Sequence, residues 1–346
     1  MSTPYFPGCT LSTKAIGFDV SGRAVAAALG LPLVELADWQ CCGATFPLAT
    51  DNAMALLAPA RILIQAEQQG DRLATLCAVC YNVLKRTAVT LRRRPEMLER
   101  INWFVTGGLA PGGVAPGVAP GAPTSGGESV AGPDRAPGDV PAYRGRVQVL
   151  HFLEMLRDEL GWDNLRRRVI AANEGRSADD GRSVDDPGAG SPSPGLSRVQ
   201  GLRVAPYYGC LLLRPQSEIG LDDADAPTIL ADFLRATGAE PVEFPFQTEC
   251  CGSYLAISKP DLPAALSGRI LEQAANAGAQ AIVTACPLCQ YNLDRAAARA
   301  RSAGRLPVLY FTQFLAAALN LPSAAWGLEG HAVDPAPLFA GCRSAA

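Results

Sequence analysis

Residues 281–289 read AIVTACPLC, an apolar run that ends in two cysteines separated by two residues. Residues 73–80 read LATLCAVC and have the same form. A short apolar run of this kind predicts a buried β-strand, so each cysteine pair is expected to follow the carboxyl end of a strand. Two copies of the same unit indicate that the chain arose from a duplication.

Other cysteines extend the repeat in the direction of the N-terminus. In each copy a single cysteine comes first, then a Cys-Cys-Gly sequence, then the Cys-x-x-Cys pair. Thirty-four residues separate Cys42 from Cys77, and thirty-four also separate Cys251 from Cys286, whereas the first gap is 31 residues in one copy and 39 in the other. The first cysteine group is Cys9, Cys41, Cys42, Cys77 and Cys80, and the second cysteine group is Cys210, Cys250, Cys251, Cys286 and Cys289.

Apolar runs and helical patterns alternate along both copies. Further runs at 5–6 and 33–36 predict buried strands, and residues 25–29, 53–68 and 263–277 have helical periodicity. Alternating strands and helices predict an α/β fold of two Rossmann-like domains, related by a pseudo-twofold axis and built on parallel sheets. The cysteines are then expected at the C-terminal ends of the strands, where open parallel sheets bind ligands.

The domain boundaries follow from the end of each copy. A strand and helix at 307–315 close the second copy, and the matching segment of the first copy, at 147–156, is displaced by a Gly, Pro and Ala-rich insertion at 107–142. Residues 173–199 are also of low complexity and are predicted to be a flexible linker. We therefore expect a first domain at 1–172 and a second at 200–346.

Two aspartates mark the expected start of equivalent helices. Asp51 and Asp261 precede the helical patterns of the two copies and are predicted to be N-caps.

Charge and composition exclude several classes of protein. The 30 Lys and Arg residues nearly balance 33 Asp and Glu, giving a formal charge of −3 without a polybasic run, which argues against nucleic-acid binding. The N-terminus lacks a signal-like pattern and no long apolar window occurs, so we expect a cytoplasmic protein without a transmembrane segment. Eleven cysteines in such a chain then require a role other than disulfide formation.

Thiolates in this number point to a metal centre. Soft sulfur ligands select zinc, copper(I) or iron–sulfur clusters. Structural zinc takes four ligands and leaves one cysteine of each five unused, whereas a cluster with several irons can use adjacent cysteines on different irons. A redox-active disulfide between Cys41 and Cys42 is a further alternative, but it leaves the Cys-x-x-Cys pairs unexplained. Gly43 and Gly252 are expected to let the backbone approach a cluster closely.

The residues around the cysteines resemble the B-type subunit of heterodisulfide reductase, a family with two CCG cysteine-rich domains. The likeness includes YYGCLLLRP at 207–215 and the run at 284–289. It implies two noncubane [4Fe-4S] clusters, each held by the five cysteines of one group. It leaves Cys342 over, which we interpret as a spare thiol near the C-terminus.

The resemblance also implies an activity. A subunit of this kind splits a disulfide between its two clusters, and a ferredoxin-like iron–sulfur subunit and a flavin-containing subunit supply electrons. Leu211 stands where methanogen relatives have a histidine, so we expect a different disulfide, a persulfide or a sulfur carrier as the substrate. His151 is a candidate proton donor, with packing as the alternative, and Arg214 is a candidate to steady a substrate carboxylate or a cluster's charge.

A second function is compatible with the same motif. CCG domains also occur in quinone-linked dehydrogenases for glycolate, lactate, glycerol 3-phosphate or succinate, where they relay electrons. In that case the chain would be an electron-transfer module without its own substrate.

Overall fold

The computed structural model describes residues 2–44, 53–106, 141–174, 197–300 and 304–340. Within these residues, short parallel strands form two four-stranded sheets. The first sheet contains Thr3–Tyr5 (β1), Leu33–Glu35 (β2), Arg72–Thr75 (β3) and Gln148–His151 (β4), and the second contains Arg203–Tyr207 (β5), Glu240–Pro241 (β6), Ala281–Thr284 (β7) and Val308–Tyr310 (β8).

Helices connect the strands and cover the sheets. In the first half they are Gly8–Leu11 (α1), Ile16–Ala28 (α2), Ala53–Gln69 (α3), Ala78–Arg93 (α4), Pro95–Val105 (α5), Phe152–Met155 (α6), which continues as a π-helical turn at Leu156–Leu160, and Trp162–Glu174 (α7). In the second half they are Gln216–Ile219 (α8), Ile229–Thr237 (α9), Leu255–Ser258 (α10), Asp261–Asn276 (α11), Pro287–Arg299 (α12), Phe311–Ala318 (α13), a 3₁₀ turn at Ser323–Ala325, and Ala336–Ala340 (α14).

The two sheets have the same topology. Their strand orders are β2-β1-β3-β4 and β6-β5-β7-β8, and every pairing is parallel. The register is also equivalent, since Thr75 pairs with His151 in one sheet and Thr284 pairs with Tyr310 in the other. The predicted α/β fold of two similar halves is therefore confirmed.

Two local predictions were wrong. The strand β2 is not buried: it lies at the edge of its sheet, and the side chain of Val34 is 48% exposed. Asp261 is the first residue of α11 and not its N-cap, because Pro260 occupies the cap position without a side-chain hydrogen bond. A carboxylate in the first turn still interacts favourably with the helix dipole.

A shared apolar core joins the halves. The rings of Phe18 on α2 and Tyr310 on β8 stack with centroids 4.1 Å apart and an interplanar angle of 3°. Phe152 and Phe311 begin the equivalent helices α6 and α13, and their ring centroids are 6.3 Å apart. The hydroxyls of Ser21 and Thr312 add a buried hydrogen bond of 2.7 Å between α2 and α13. These contacts fix the relative placement of the two sheets and of the loops beyond their strands.

Several sequence predictions fall outside the described residues. They are the N-cap Asp51, the spare thiol Cys342, and most of the insertion at 107–142 and of the linker at 173–199. The domain boundaries accordingly stay predictions. Among the described helices, none combines the length and apolar character needed to cross a membrane.

Candidate functional site

The Cys-x-x-Cys pairs lie at the start of helices that follow central strands. Cys77 comes after β3 and is the N-cap of α4, where its sulfur accepts a hydrogen bond from the backbone N–H of Cys80 at 3.5 Å. Cys286 comes after β7 and is the N-cap of α12, with Pro287 as the first helical residue. A helix N-terminus favours negative charge, so each pair lies at the end of its helix that suits an anionic group.

The first cysteine group forms a continuous chain of sulfur contacts. The sulfurs of Cys9 and Cys41 are 3.7 Å apart, and those of Cys42 and Cys80 are 3.6 Å apart. Cys41 also contacts its neighbour Cys42, and Cys80 contacts Cys77. Five sulfurs from three segments of the chain therefore meet in one region.

The second cysteine group repeats this chain residue for residue. Cys251 and Cys289 have sulfurs 3.6 Å apart, Cys210 contacts Cys250, and Cys286 contacts Cys289. Four of these cysteines line one pocket of about 240 Å³, a volume that includes part of the open solvent at its mouth. Its lining is Tyr208, Cys210, Leu211, Cys251, Ser253, Cys286, Leu288 and Cys289.

This donor arrangement fits a cluster of several metal ions. In the described parts of the chain, no three Cys, His, Asp or Glu side chains are grouped as a single ion requires. The five sulfurs of each group are instead joined by pairwise contacts, which suits a cluster whose ligand positions are spread over several ångströms. Thiolate donors are also the ligands that iron–sulfur clusters take. The residues present therefore fit an iron–sulfur group better than tetrahedral zinc.

Hydrogen bonds between thiols change their pKa values in pairs. Cys41 and Cys80 lower the pKa of Cys42 to about 4, while the bond to Cys42 raises the pKa of Cys41. In the second group, Cys210 and Cys251 lower the pKa of Cys250 to about 2. Hydrogen bonding within each group therefore favours the thiolate form of one cysteine, and the thiolate is the form that binds metal.

The predicted glycines contribute backbone hydrogen bonds to the sulfurs. The N–H of Gly43 donates to Cys41 and that of Gly252 donates to Cys250, both at 3.4 Å. Both glycines have positive φ, +78° and +94°. A Cβ on Gly252 would also lie 2.7 Å from the Cα of Pro263, so that position has no room for a side chain.

Two further glycines, Gly8 and Gly209, lie directly beside the sulfurs and were missed by the sequence prediction. A Cβ on Gly8 would lie 2.7 Å from the sulfur of Cys80, and a Cβ on Gly209 would lie 3.0 Å from the sulfur of Cys289. Their φ angles are +77° and +62°, a region that side chains disfavour. The sequence contained one signal for these glycines, because each of them stands just before the first cysteine of its group.

The two cysteine groups are neighbours across the interface between the halves. The N–H of Ala78, next to Cys77, donates to the carbonyl of Ala285, next to Cys286, at 3.1 Å. Tyr254 belongs to the second half, but its pKa is raised by burial and then by the charges of Cys77 and Cys42 in the first half. The charge of Cys286 in the second group raises the same pKa, so both cysteine groups lie close enough to affect Tyr254.

His151, the candidate proton donor, is fully buried. Its Nε2 hydrogen-bonds the carbonyl of Leu76 at 2.8 Å, and its Nδ1 accepts the N–H of Leu153 at 3.2 Å. It caps α6 together with Glu154, whose carboxylate accepts the N–H of His151. Burial lowers the pKa of His151 to about 3. This environment favours the packing interpretation over proton donation.

Arg214, the candidate for binding a substrate carboxylate, contacts backbone carbonyls. Its guanidinium donates to Thr248 and to Ala224, both at 3.1 Å, and lies 3.6 Å from the carboxylate of Asp225. Thr248 is two residues before Cys250. Arg214 therefore positions the loop that carries Cys250 and Cys251.

The segment after Cys210 is held by the other half of the molecule. The side-chain amide of Asn82 on α4 donates to the carbonyls of Leu211 and Arg214, both at 2.7 Å. These bonds hold Leu211 in the pocket wall. The sequence had identified Leu211 only as a departure from the heterodisulfide reductase pattern.

Comparison with known proteins agrees with this duplicated site. The CCG cysteine-rich domain family matches residues 3–85 and 204–294. The chain is 29% identical to the 8-methylmenaquinol:fumarate reductase membrane anchor subunit of Wolinella succinogenes, with 96% of this chain and 98% of the relative covered. It is 25% identical to the B-type subunit of the ferredoxin/F420H2-dependent CoB-CoM heterodisulfide reductase of Methanosarcina acetivorans, with 95% and 93% covered.

A solved structure has a similar fold. It is the crystal structure of a hypothetical protein from Helicobacter pylori, with a TM-score of 0.65 and 11% identity. The match covers 96% of this chain and 52% of the other, so this chain spans about half the length of that protein. The family model matches two segments of the present chain, and these segments carry the repeated cysteine order and the equivalent sheets. This chain therefore belongs to the CCG cysteine-rich domain family, with two copies of the domain and with relatives that are subunits of reductases.

Proposed function

We propose that this chain is the iron–sulfur subunit of a heterodisulfide reductase-like complex, which reduces or forms a disulfide or persulfide at two noncubane [4Fe-4S] clusters. The observation that carries the proposal is the pair of matched five-sulfur groups, one beyond the C-terminal ends of the strands of each sheet. The hydrogen bond between Ala78 and Ala285 joins the two groups across the interface. The first and second cysteine groups would each hold one cluster. When bound, the clusters supply one-electron redox chemistry and iron sites with affinity for sulfur.

The exposure of the sulfurs supports binding of a sulfur substrate over a role confined to electron relay. Cys9 and Cys41 are exposed in the first group, and Cys210, which lines the pocket of the second group, is partly exposed. A thiol or disulfide can therefore approach both groups. Leu211 and Leu288 make this part of the wall apolar, which favours an uncharged end of a sulfur compound.

Partners are part of the proposal because the sequence contains neither a ferredoxin-type cysteine run nor a GxGxxG dinucleotide-binding motif through which to receive electrons. Related chains are subunits of reductases that use ferredoxin, F420H2 or a methylmenaquinol according to their names. We propose a ferredoxin-like iron–sulfur subunit and a flavin-containing subunit as partners, and a cytoplasmic complex.

A second function is favoured by a specific observation. The relative from Wolinella succinogenes, which matches over almost its whole length, is named as a subunit of a methylmenaquinol-linked fumarate reductase. In that role, this chain would relay electrons between a quinol and a partner without binding a sulfur substrate. The cluster sites would be the same, but the reaction would occur elsewhere in the complex.

Electron paramagnetic resonance distinguishes the two functions. The full chain would be reconstituted anaerobically with iron and sulfide, oxidised, and mixed with candidate thiols. Sulfur chemistry predicts a paramagnetic signal that depends on the thiol. Intact clusters that are reduced reversibly but give no thiol-dependent signal would contradict the first function and support the relay.

A further inference from the structure

In the second cysteine group, one buried side chain donates a hydrogen bond to a sulfur and has no counterpart in the first group. Asn292 on α12 donates from its side-chain amide to the sulfur of Cys251 at 3.4 Å. The same amide nitrogen lies 3.4 Å from the carbonyl of Cys251 and 3.1 Å from that of Ser253. Asn292 is 6% exposed, so this contact is shielded from water.

The equivalent position in the first half has no donor. Asn292 is the sixth residue after Cys286, and the sixth residue after Cys77 is Val83. Val83 is also buried, at 8% exposed, on the equivalent helix α4. A valine cannot donate to Cys42, which corresponds to Cys251.

A second polar residue strengthens the same difference. The hydroxyl of Ser267 on α11 donates to the carbonyl of Cys251 at 3.3 Å. Ser267 is the sixteenth residue after Cys251, and the sixteenth residue after Cys42 is Ala58. The backbone of Cys251 is thus held by two side chains whose counterparts, Val83 and Ala58, have no hydrogen-bonding group.

Two backbone donors at each Cys-Cys pair, in contrast, are present in both groups. Gly43 and Gly252 make equivalent N–H bonds to the first sulfur of each Cys-Cys pair, both at 3.4 Å. Backbone bonds from Ala44 and Ser253 likewise act on the second sulfur of each pair. The amide of Asn292 is therefore a buried donor that the first group lacks. The first group has one side-chain contact of its own, but it is longer and exposed, with the Thr10 hydroxyl 3.9 Å from the sulfur of Cys9.

We infer that Asn292 is a positioning residue that makes the two clusters inequivalent, so that the second cysteine group accepts an electron before the first. This inference rests on the proposed function, because it requires a cluster in each group. Reduction by one electron from a low-potential donor adds negative charge that is shared with the ligand sulfurs. A buried N–H aimed at Cys251 stabilises that charge more than the oxidised state, which raises the reduction potential of its cluster.

The order of reduction has a consequence for the complex. An electron that arrives at either group would settle on the second one, beside the pocket lined by Cys210 and Leu211. The adjacency of Ala78 and Ala285 gives a short route between the groups.

The test is an anaerobic redox titration of the reconstituted full chain, followed by electron paramagnetic resonance with a low-potential reductant. The wild type is expected to show two separate one-electron reductions. In Asn292→Val, which places the first-half residue in the second half, the higher-potential reduction is expected to move to lower potential, while the lower-potential one stays unchanged. Asn292→Ala is the second variant in case the valine prevents cluster binding.

Ser267→Ala is the matched control, because it removes a bond to the carbonyl of Cys251 and leaves the contact to the sulfur intact. Its two potentials are expected to equal those of the wild type. Intact clusters with unchanged potentials in both Asn292 variants, or an equal shift in Ser267→Ala, would overturn the inference and leave the proposed function standing. Failure of the wild-type chain to bind two clusters would overturn the proposed function itself.

Discussion

At the scale of single residues, the site depends on positions where a hydrogen atom stands in place of a side chain. Gly8 and Gly209 face the sulfurs of Cys80 and Cys289, and both have positive φ. The sequence predicted the ten cysteines as ligands because their order is repeated, and this remains a prediction for metal binding. It did not identify these glycines, because the closeness of a Cβ to a sulfur depends on how two loops meet.

Gly8→Ala should remove the first cluster and leave the second. Its Cβ would overlap the sulfur of Cys80, so we expect iron to fall from about eight to about four atoms per chain. Gly30→Ala is the control, because Gly30 also has positive φ, +72°, but a Cβ there would meet nothing within 4 Å. Both variants carry a backbone cost of about 1 kcal/mol. Equal iron contents in the two variants would contradict a steric role for Gly8.

His151 should make stability depend on pH. The unfolded chain binds a proton at this residue near the ordinary histidine pKa of about 6.5, whereas the folded chain holds the pKa at about 3. The free energy of unfolding therefore falls as pH drops below about 6.5, with a slope that approaches about 1.4 kcal/mol per pH unit from this group.

His151→Asn keeps a residue that caps helices well but does not titrate. Between pH 7 and 5.5, thermal unfolding of the variant should depend less on pH than that of the wild type. Parallel curves for the two proteins would show that His151 does not remain neutral in the folded chain.

At the scale of helices and strands, the sequence predicted most elements because their patterns are strong and repeated. The helical pattern at 53–68 became α3, and the run at 281–285 became β7. The errors arose where tertiary position overrides local pattern. The run at 33–36 is apolar, but β2 lies at a sheet edge, which a single strand's sequence does not reveal.

The helix α4 should link the stability of one half to the site of the other. Asn82→Ala removes two bonds to the carbonyls of Leu211 and Arg214, so we expect a loss of about 1–3 kcal/mol in the free energy of unfolding. Iron in the second cluster should also become easier to remove with a chelator, because these bonds hold the segment after Cys210.

Asn164→Ala is the control for this variant. The side chain of Asn164 donates to the carbonyl of Leu160 and accepts from the guanidinium of Arg167, both on an exposed part of the chain and within the same half. We expect a change within about 0.5 kcal/mol and no effect on iron release. A similar loss in both variants would contradict the role of Asn82 as a link between the halves.

At the scale of the whole molecule, duplication explains why two sites are adjacent. Each half alone places five sulfurs at the end of its sheet, and the shared core through Phe18, Tyr310, Phe152 and Phe311 brings the two ends together. The sequence predicted the two halves from cysteine spacing. It could not predict how they pack, because the interface is formed by aromatic contacts and hydrogen bonds between residues far apart in the chain.

Metal analysis of the anaerobically reconstituted full chain tests the central claim most directly, that two five-sulfur groups each hold an iron–sulfur cluster. Iron, acid-labile sulfide and zinc would be measured per chain, in the wild type and in Cys286→Ser. The wild type is expected to contain about eight iron and about eight sulfide atoms, and the variant about half of each. A chain that binds about one zinc ion in each half, with no iron, would contradict the account.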